Sequence, residues 1–190
     1  MSANQFDYDN LKSVELWEKL CQGDKEALAA LFNDNFDSLY RYGYRIVPNT
    51  DLVRDSIQEV FYNLWKYRNN LNQPDSIKAY LFISLRRQLL RKKKNIERRQ
   101  DIDKKYFSEE FDVLPNYQVW QETLELGEEE HEGLKEAIAE LTPRQREVIY
   151  LKYFEGLSTN ELAEVLQIRA QSIYNLVYDA LENLRIFLKN

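Results

Sequence analysis

A chain of 190 residues, 44% hydrophobic and 31% charged, holds one large domain or two small ones. Its single cysteine excludes an internal disulfide, and four prolines with five glycines are too few for the turns of a many-stranded β protein. A formal net charge of −6 counts against a domain that binds DNA unaided, since non-specific affinity for nucleic acid comes mainly from positive charge.

Few helix breakers and long stretches of 3.6-residue periodicity predict an all-α protein. The first segment, MSANQFDYDN, is acidic and polar, unlike a signal peptide. No apolar run approaches the length of a membrane span, so the expected location is the cytoplasm. SVELWEKLCQ is a short amphipathic helix, and Cys21 within it is a small packing residue. DKEALAALFNDNFDSLYRYGYRIV begins with Asp24 as N-cap and stops at Pro48. TDLVRDSIQEVFYNLWKYRNN begins with Thr50 as the expected N-cap and ends at Asn69 and Asn70. Its core stripe is Leu52, Val53, Ile57, Val60, Phe61, Leu64 and Trp65. Asp51, Asp55, Gln58, Glu59 and Tyr62 share the opposite side, which by itself is an ordinary solvated face. PDSIKAYLFISLRRQLLRKKK is a fourth helix, and the four together form a helical domain over residues 1–95.

Charge then segregates along the chain. From Arg86 to Lys105 ten basic residues face only Glu97, Asp101 and Asp103, whereas from Glu109 to Glu140 eleven acidic residues face Lys135 alone. Residues 96–133 read as a charged, mostly acidic linker, with short helical pieces around 117–126. His131, inside GEEEHEG, is a solvated residue, and neither a metal site nor any other cofactor is expected.

Helix signals return over residues 134–190. Thr142 to Gln145 (TPRQ) and Ser158 to Glu161 (STNE) are both capping boxes, the first with proline at the first helical position. The expected helices are 133–141, 143–155, 159–166 and 170–188. In the last one Ile173, Leu176, Val177, Ala180, Leu181 and Leu184 make one continuous face to be buried. Gln171, Tyr174, Asn175 and Tyr178 lie opposite, at the end that a DNA-reading helix would insert in a major groove. Glutamine and asparagine can pair with adenine, and a tyrosine body can meet a thymine methyl. The pattern alone allows either a reading helix or a solvated face.

GLSTNELAEVLQIRAQSIYNLVYDALENLR resembles the helix-turn-helix of the promoter-recognition domain of bacterial sigma factors, and LTPRQREVIYLKYFEGLS is similar to the helix before it. The family often has glycine where Gln167 stands and a small capping residue where Arg169 stands. DSIQEVFYNLW resembles the segment by which sigma factors dock on the clamp helices of the largest polymerase subunit. With both regions in order and no intermediate domain, the chain resembles the extracytoplasmic-function (ECF) group. The resemblance covers nearly all of residues 20–95 and 134–188.

The resemblance implies two small helical domains joined by the acidic linker, the C-terminal one a helix-turn-helix. Core RNA polymerase and promoter DNA are the implied partners, with a cognate anti-sigma factor, often membrane-bound in the family. It assigns polymerase docking to Asp51, Asp55, Gln58, Glu59 and Tyr62. Opened minus-ten DNA falls to Asn70, Asn72, Gln73 and Ser76 in the loop, and to Lys78, Arg86, Arg87 and Arg91 on the next helix. Tyr80, where the family often has tryptophan, reads as core packing beside Ile77 and Leu81. The minus-thirty-five element falls to Arg144, Arg146, Ser158, Thr159, Arg169, Gln171, Ser172, Tyr174, Asn175 and Tyr178. Lys152 is a further candidate for phosphate. A weakly basic reading helix and a net negative charge are tolerable if core polymerase supplies much of the non-specific affinity. A stand-alone helix-turn-helix regulator would leave DSIQEVF unexplained. A clamp-binding protein without promoter recognition is the other alternative. No glycine-rich phosphate loop, metal cluster or nucleophile–base pair points to an enzyme.

Overall fold

The computed structural model describes residues 3–99 and 136–187, with side chains over 11–96 and 136–186. The chain divides into two compact units, Met1–Phe107 and Ser108–Asn190. Among the described residues there are helices and turns and no strand. His131 and the 117–126 segment lie outside them, as does all of the expected linker beyond residue 99.

In the first unit α1 spans Ala3–Cys21, α2 Lys25–Ile46, α3 Thr50–Tyr67 and α4 Ile77–Arg99, with a single 3₁₀ turn at Arg68–Asn70. The first helix therefore starts well before the expected Ser13, and α4 runs past the expected domain end at residue 95. Asp24 caps α2 as its side chain accepts from the amides of Glu26 and Ala27 at 2.8 and 3.2 Å. The cap of α3 is Asn49, not Thr50: the Asn49 Oδ1 accepts from the Leu52 amide at 2.9 Å. Thr50 is already helical, and its hydroxyl lies 3.2 Å from that of Tyr40.

The core of this unit is made where α2, α3 and α4 meet. Leu39 and Tyr42 of α2, Val53 and Ile57 of α3, and Phe82, Leu85 and Leu89 of α4 are fully buried. Each such side chain contributes roughly 1.5–3 kcal/mol relative to an exposed one. Gly43 lets the helices approach: a Cβ there would stand 2.8 Å from Val53 and 3.2 Å from Leu89. Trp17 ties α1 to α4 by an edge-on contact with Tyr80, centroids 5.3 Å apart. Along α2 an aromatic ladder, Phe32, Phe36, Tyr40 and Tyr44, stacks at successive i+4 positions, and Phe61 of α3 meets Phe32 edge-on. Ser56 is buried inside α3, its hydroxyl donating to the Leu52 carbonyl at 2.7 Å. Leu52 and Trp65, expected in the core stripe, are only half-buried because they sit at its edges.

The second unit, where described, contains a helical segment over 136–139, α5 (Pro143–Ile149), α6 (Thr159–Leu166) and α7 (Ala170–Phe187). Both capping boxes are formed, at Thr142 with Gln145 and at Ser158 with Glu161. The expected helix 143–155 is not uniform. After Ile149 the chain widens into a π-type turn over Tyr150–Phe154, where the Glu155 amide reaches the Tyr150 carbonyl at 3.3 Å. The Tyr150 hydroxyl donates to the buried Glu155 carboxylate at 2.7 Å, which staples this turn from its side. α7 packs on both α5 and α6 through Ile173, Ala180 and Leu184. Leu181 is 43% exposed and Leu176 and Val177 are half-buried, so the buried stripe of α7 is narrower than the sequence predicts.

Candidate nucleic-acid interface

The first unit presents two faces on which residues singled out in the sequence gather. On α3, Asp51, Asp55, Gln58 and Tyr62 point outward, with Tyr62 62% exposed. Glu59 sits at the edge of this set and turns toward α4, where its carboxylate meets Lys92 at 3.0 Å and Arg91 at 3.6 Å. The second face is a cleft of about 320 Å³ between the C-terminal half of α3, the turn at Leu71 and the middle of α4. Tyr67 and Tyr80 wall it, and Arg87 and Arg91 line it at i, i+4 spacing. Gln88 also lines it; this residue is 93% buried by its 7% exposure, and its Nε2 has no hydrogen-bond partner. Aromatic walls and guanidinium groups together suit an unstacked base with its phosphates.

In the second unit the turn between α6 and α7 is closed by backbone. Gln167 adopts the left-handed conformation, φ 56° and ψ 43°, and the Ile168 amide donates back to the Ala163 carbonyl at 3.1 Å. This is the bond pattern that ends a helix with a residue usually replaced by glycine. Beyond it α7 exposes Gln171, Tyr174, Asn175 and Tyr178 on one side, and Gln171 Nε2 donates to Asn175 Oδ1 at 3.2 Å.

Residues 31–99 match the family described as sigma-70 region 2, and residues 131–184 match sigma-70 region 4. The chain belongs to the sigma-70 family. Within that family it is an ECF sigma factor, the subunit that directs core RNA polymerase to promoters. It is 28% identical over 173 residues to RNA polymerase sigma factor SigV of Bacillus subtilis, which covers 88% of this chain and 94% of SigV. It is 25% identical over 181 residues to the ECF sigma factor BldN of Streptomyces coelicolor, covering 94% of this chain and 66% of BldN. Its fold is similar to that of CnrH solved in complex with the cytosolic domain of CnrY, with TM-score 0.60, 18% identity, and 94% and 97% of the two chains covered. It is also similar to RpoE of Bartonella quintana in complex with the anti-sigma factor NepR, with TM-score 0.60, 21% identity, and 85% and 96% covered.

The sigma factor places the residues singled out in its sequence unevenly. Of the expected minus-ten set, Arg87 and Arg91 line the cleft, and Asn70, Asn72 and Gln73 are exposed around its Leu71 rim. Ser76 caps α4, its hydroxyl accepting from the Ala79 amide at 3.2 Å. Lys78 is half-buried with its ammonium 5.8 Å above the Phe82 ring, and Arg86 is half-buried outside the cleft lining. Tyr80 both packs on Trp17 and faces the cleft.

In region 4 Arg144 turns inward. Its Nη2 donates to the Leu166 carbonyl at 2.8 Å and its Nη1 to the buried Glu147 carboxylate at 3.1 Å, so it holds the end of α6 instead of reaching a phosphate. Arg146 is half-buried with its Nε enclosed and unpartnered. At the start of α6 the Ser158 hydroxyl and amide are taken by the capping box, and Thr159 is half-buried. Arg169 is exposed, and Ser172 is half-buried on the opposite side of α7 from Tyr174. Tyr67, Leu71 and Gln88 were missed by sequence reasoning. They belong to three different segments, and no local periodicity joins them.

Proposed function

We propose that residues 1–95 dock the polymerase and open the minus-ten element, that residues 134–190 read the minus-thirty-five element, and that 96–133 links the two. Asp51, Asp55, Gln58 and Tyr62 form the docking patch, with Glu59 at its margin. The cleft beside Leu71 takes an unstacked minus-ten base between Tyr67 and Tyr80, while Arg87 and Arg91 hold the adjoining backbone. Contacts of this kind go mostly to phosphate, so the arginines position the strand and the loop amides of Asn70, Asn72 and Gln73 supply base discrimination. In the second unit α7 enters the major groove by its first turns, with Arg146 and Arg169 near the backbone. The observation that carries the assignment is the pair of separate faces on one helical unit: an acidic, aromatic patch on α3 and a basic, aromatic cleft beside it.

The protein acts as an initiation factor without chemistry of its own, in the cytoplasm where its polymerase works. Among the described residues no helix is long and apolar enough to cross a membrane. A cognate anti-sigma factor is a further proposed partner, supported by RpoE of Bartonella quintana, of similar fold, which was solved with the anti-sigma factor NepR. The test is run-off transcription with bacterial core polymerase on DNA from upstream of the protein's own gene. The expected result is a discrete start that depends on the protein and weakens when Asp55, Gln58 and Glu59 are replaced with alanine. The absence of both a transcript and co-elution with core on a sizing column would refute the assignment.

A further inference from the structure

Glu59 belongs to two places at once. It follows Asp55 by four residues and precedes Tyr62 by three, so the three share an arc of about 60° on α3. Its carboxylate nevertheless leans across to α4, with Oε2 3.0 Å from Lys92 Nζ and Oε1 3.6 Å from Arg91 Nη2. Arg91 in turn lines the cleft beside Leu71. One carboxylate thus stands between the side proposed for polymerase and the cleft proposed for DNA.

From Arg86 to Lys94 the helix α4 carries only basic charge. Among the described residues no carboxylate other than Glu59 pairs with Arg91 or Lys92. A phosphate approaching Arg91 from the cleft therefore meets a guanidinium already shared, with a like charge just behind it. The Lys92 and Glu59 side chains are 25% and 40% exposed, so salt screens their contact less than it would an open surface pair. Arg91, 66% exposed, has room to exchange one anion for another.

We infer that Glu59 is an electrostatic latch: in the free protein it holds Arg91 and Lys92 back from DNA, and docking on polymerase releases them. This rests on the docking and minus-ten roles proposed above. A patch of Asp51, Asp55 and Glu59 suits a basic partner surface, and such a surface offers Glu59 other cations than those of α4. Polymerase and the DNA strand each draw one half of the pair away from the other. By linkage, each then tightens the other's binding by the same factor. Partly exposed ion pairs contribute little, so that factor is roughly two- to fivefold.

The experiment uses the full chain and a fluorescein-labelled single strand with the non-template minus-ten sequence of the run-off promoter, read by anisotropy. Without core polymerase, Glu59→Gln is expected to bind the strand roughly two- to fivefold tighter than the unaltered chain. With core at saturation the two are expected to bind alike. Asp37→Asn, the same charge change at an exposed position of α2, is expected to alter neither affinity. In an Arg91→Ala, Lys92→Ala background Glu59→Gln is expected to have no effect, which marks action through those two cations. Three results overturn the latch and leave both proposed roles in place. These are no tighter binding by Glu59→Gln without core, a gain that Asp37→Asn matches, and a gain that persists at full size with core. If core does not bind the chain, or the holoenzyme does not bind the strand, the docking or minus-ten role itself falls, and the latch with it.

Discussion

Replacing Arg144 with alanine separates a structural role from a phosphate contact. The guanidinium donates to the Leu166 carbonyl at 2.8 Å and to Glu147 at 3.1 Å, with the Glu147 side chain only 6% exposed. A hydrogen bond to a charged group contributes roughly 1.5–3 kcal/mol, and taking one partner from a buried carboxylate adds to that cost. The Arg144 side chain is 36% exposed, and solvent screening keeps the sum of the two effects to about 2–3 kcal/mol. Hydrogen exchange on the full-length protein should then show protection of the α6 amides falling roughly 30- to 150-fold. In a Glu147→Gln background the same substitution should cost about half as much, because the carboxylate no longer loses its partner. Unchanged protection, together with a salt dependence of promoter binding made shallower by about one phosphate, would refute this account and return Arg144 to the DNA surface.

Four further outcomes follow from single residues. Gln167→Gly should stabilise the second unit by about 0.5–1 kcal/mol in denaturant melts, since it removes a side chain from a left-handed position. Gly43→Ala should destabilise the first unit by about 1–3 kcal/mol and lower its Tm, as the new Cβ would crowd Val53 and Leu89. Asn49→Ala should cost about 1 kcal/mol by loss of the α3 cap, and more than Thr50→Ala in the same equilibrium unfolding assay. Burial pushes the Cys21 thiol above its usual range, so alkylation near pH 7 should be slower than for a free thiol and should rise as pH approaches the raised value.

Much of the molecule is legible along the chain because its signals are local. Capping boxes at Thr142 and Ser158, the Asp24 cap and the 3.6-residue periodicities each act within one turn, so sequence neighbours decide them. Local rules also explain the near misses. Asn49 and Thr50 are both capping residues, and which one stands outside the helix is settled by the chain leaving Pro48 in extended geometry. The outward side of α3 and the tyrosine–amide side of α7 are likewise written in residue spacing, since a helix shows one side wherever its other side is buried.

Tertiary structure decided which polar groups remain available. Arg144 has the right chemistry for phosphate, yet its guanidinium is taken by the Leu166 carbonyl, 22 residues on, and by Glu147. Glu59 belongs to the α3 face by spacing and to the Arg91–Lys92 cluster by contact. The cleft itself joins Tyr67, Leu71 and Gln88 from three segments, and only the packing of α3 against α4 brings them together. Periodicity determines which side of a helix turns outward, because it depends on one backbone geometry. What a charged group touches depends on helices far away in sequence, so only the folded chain could assign it.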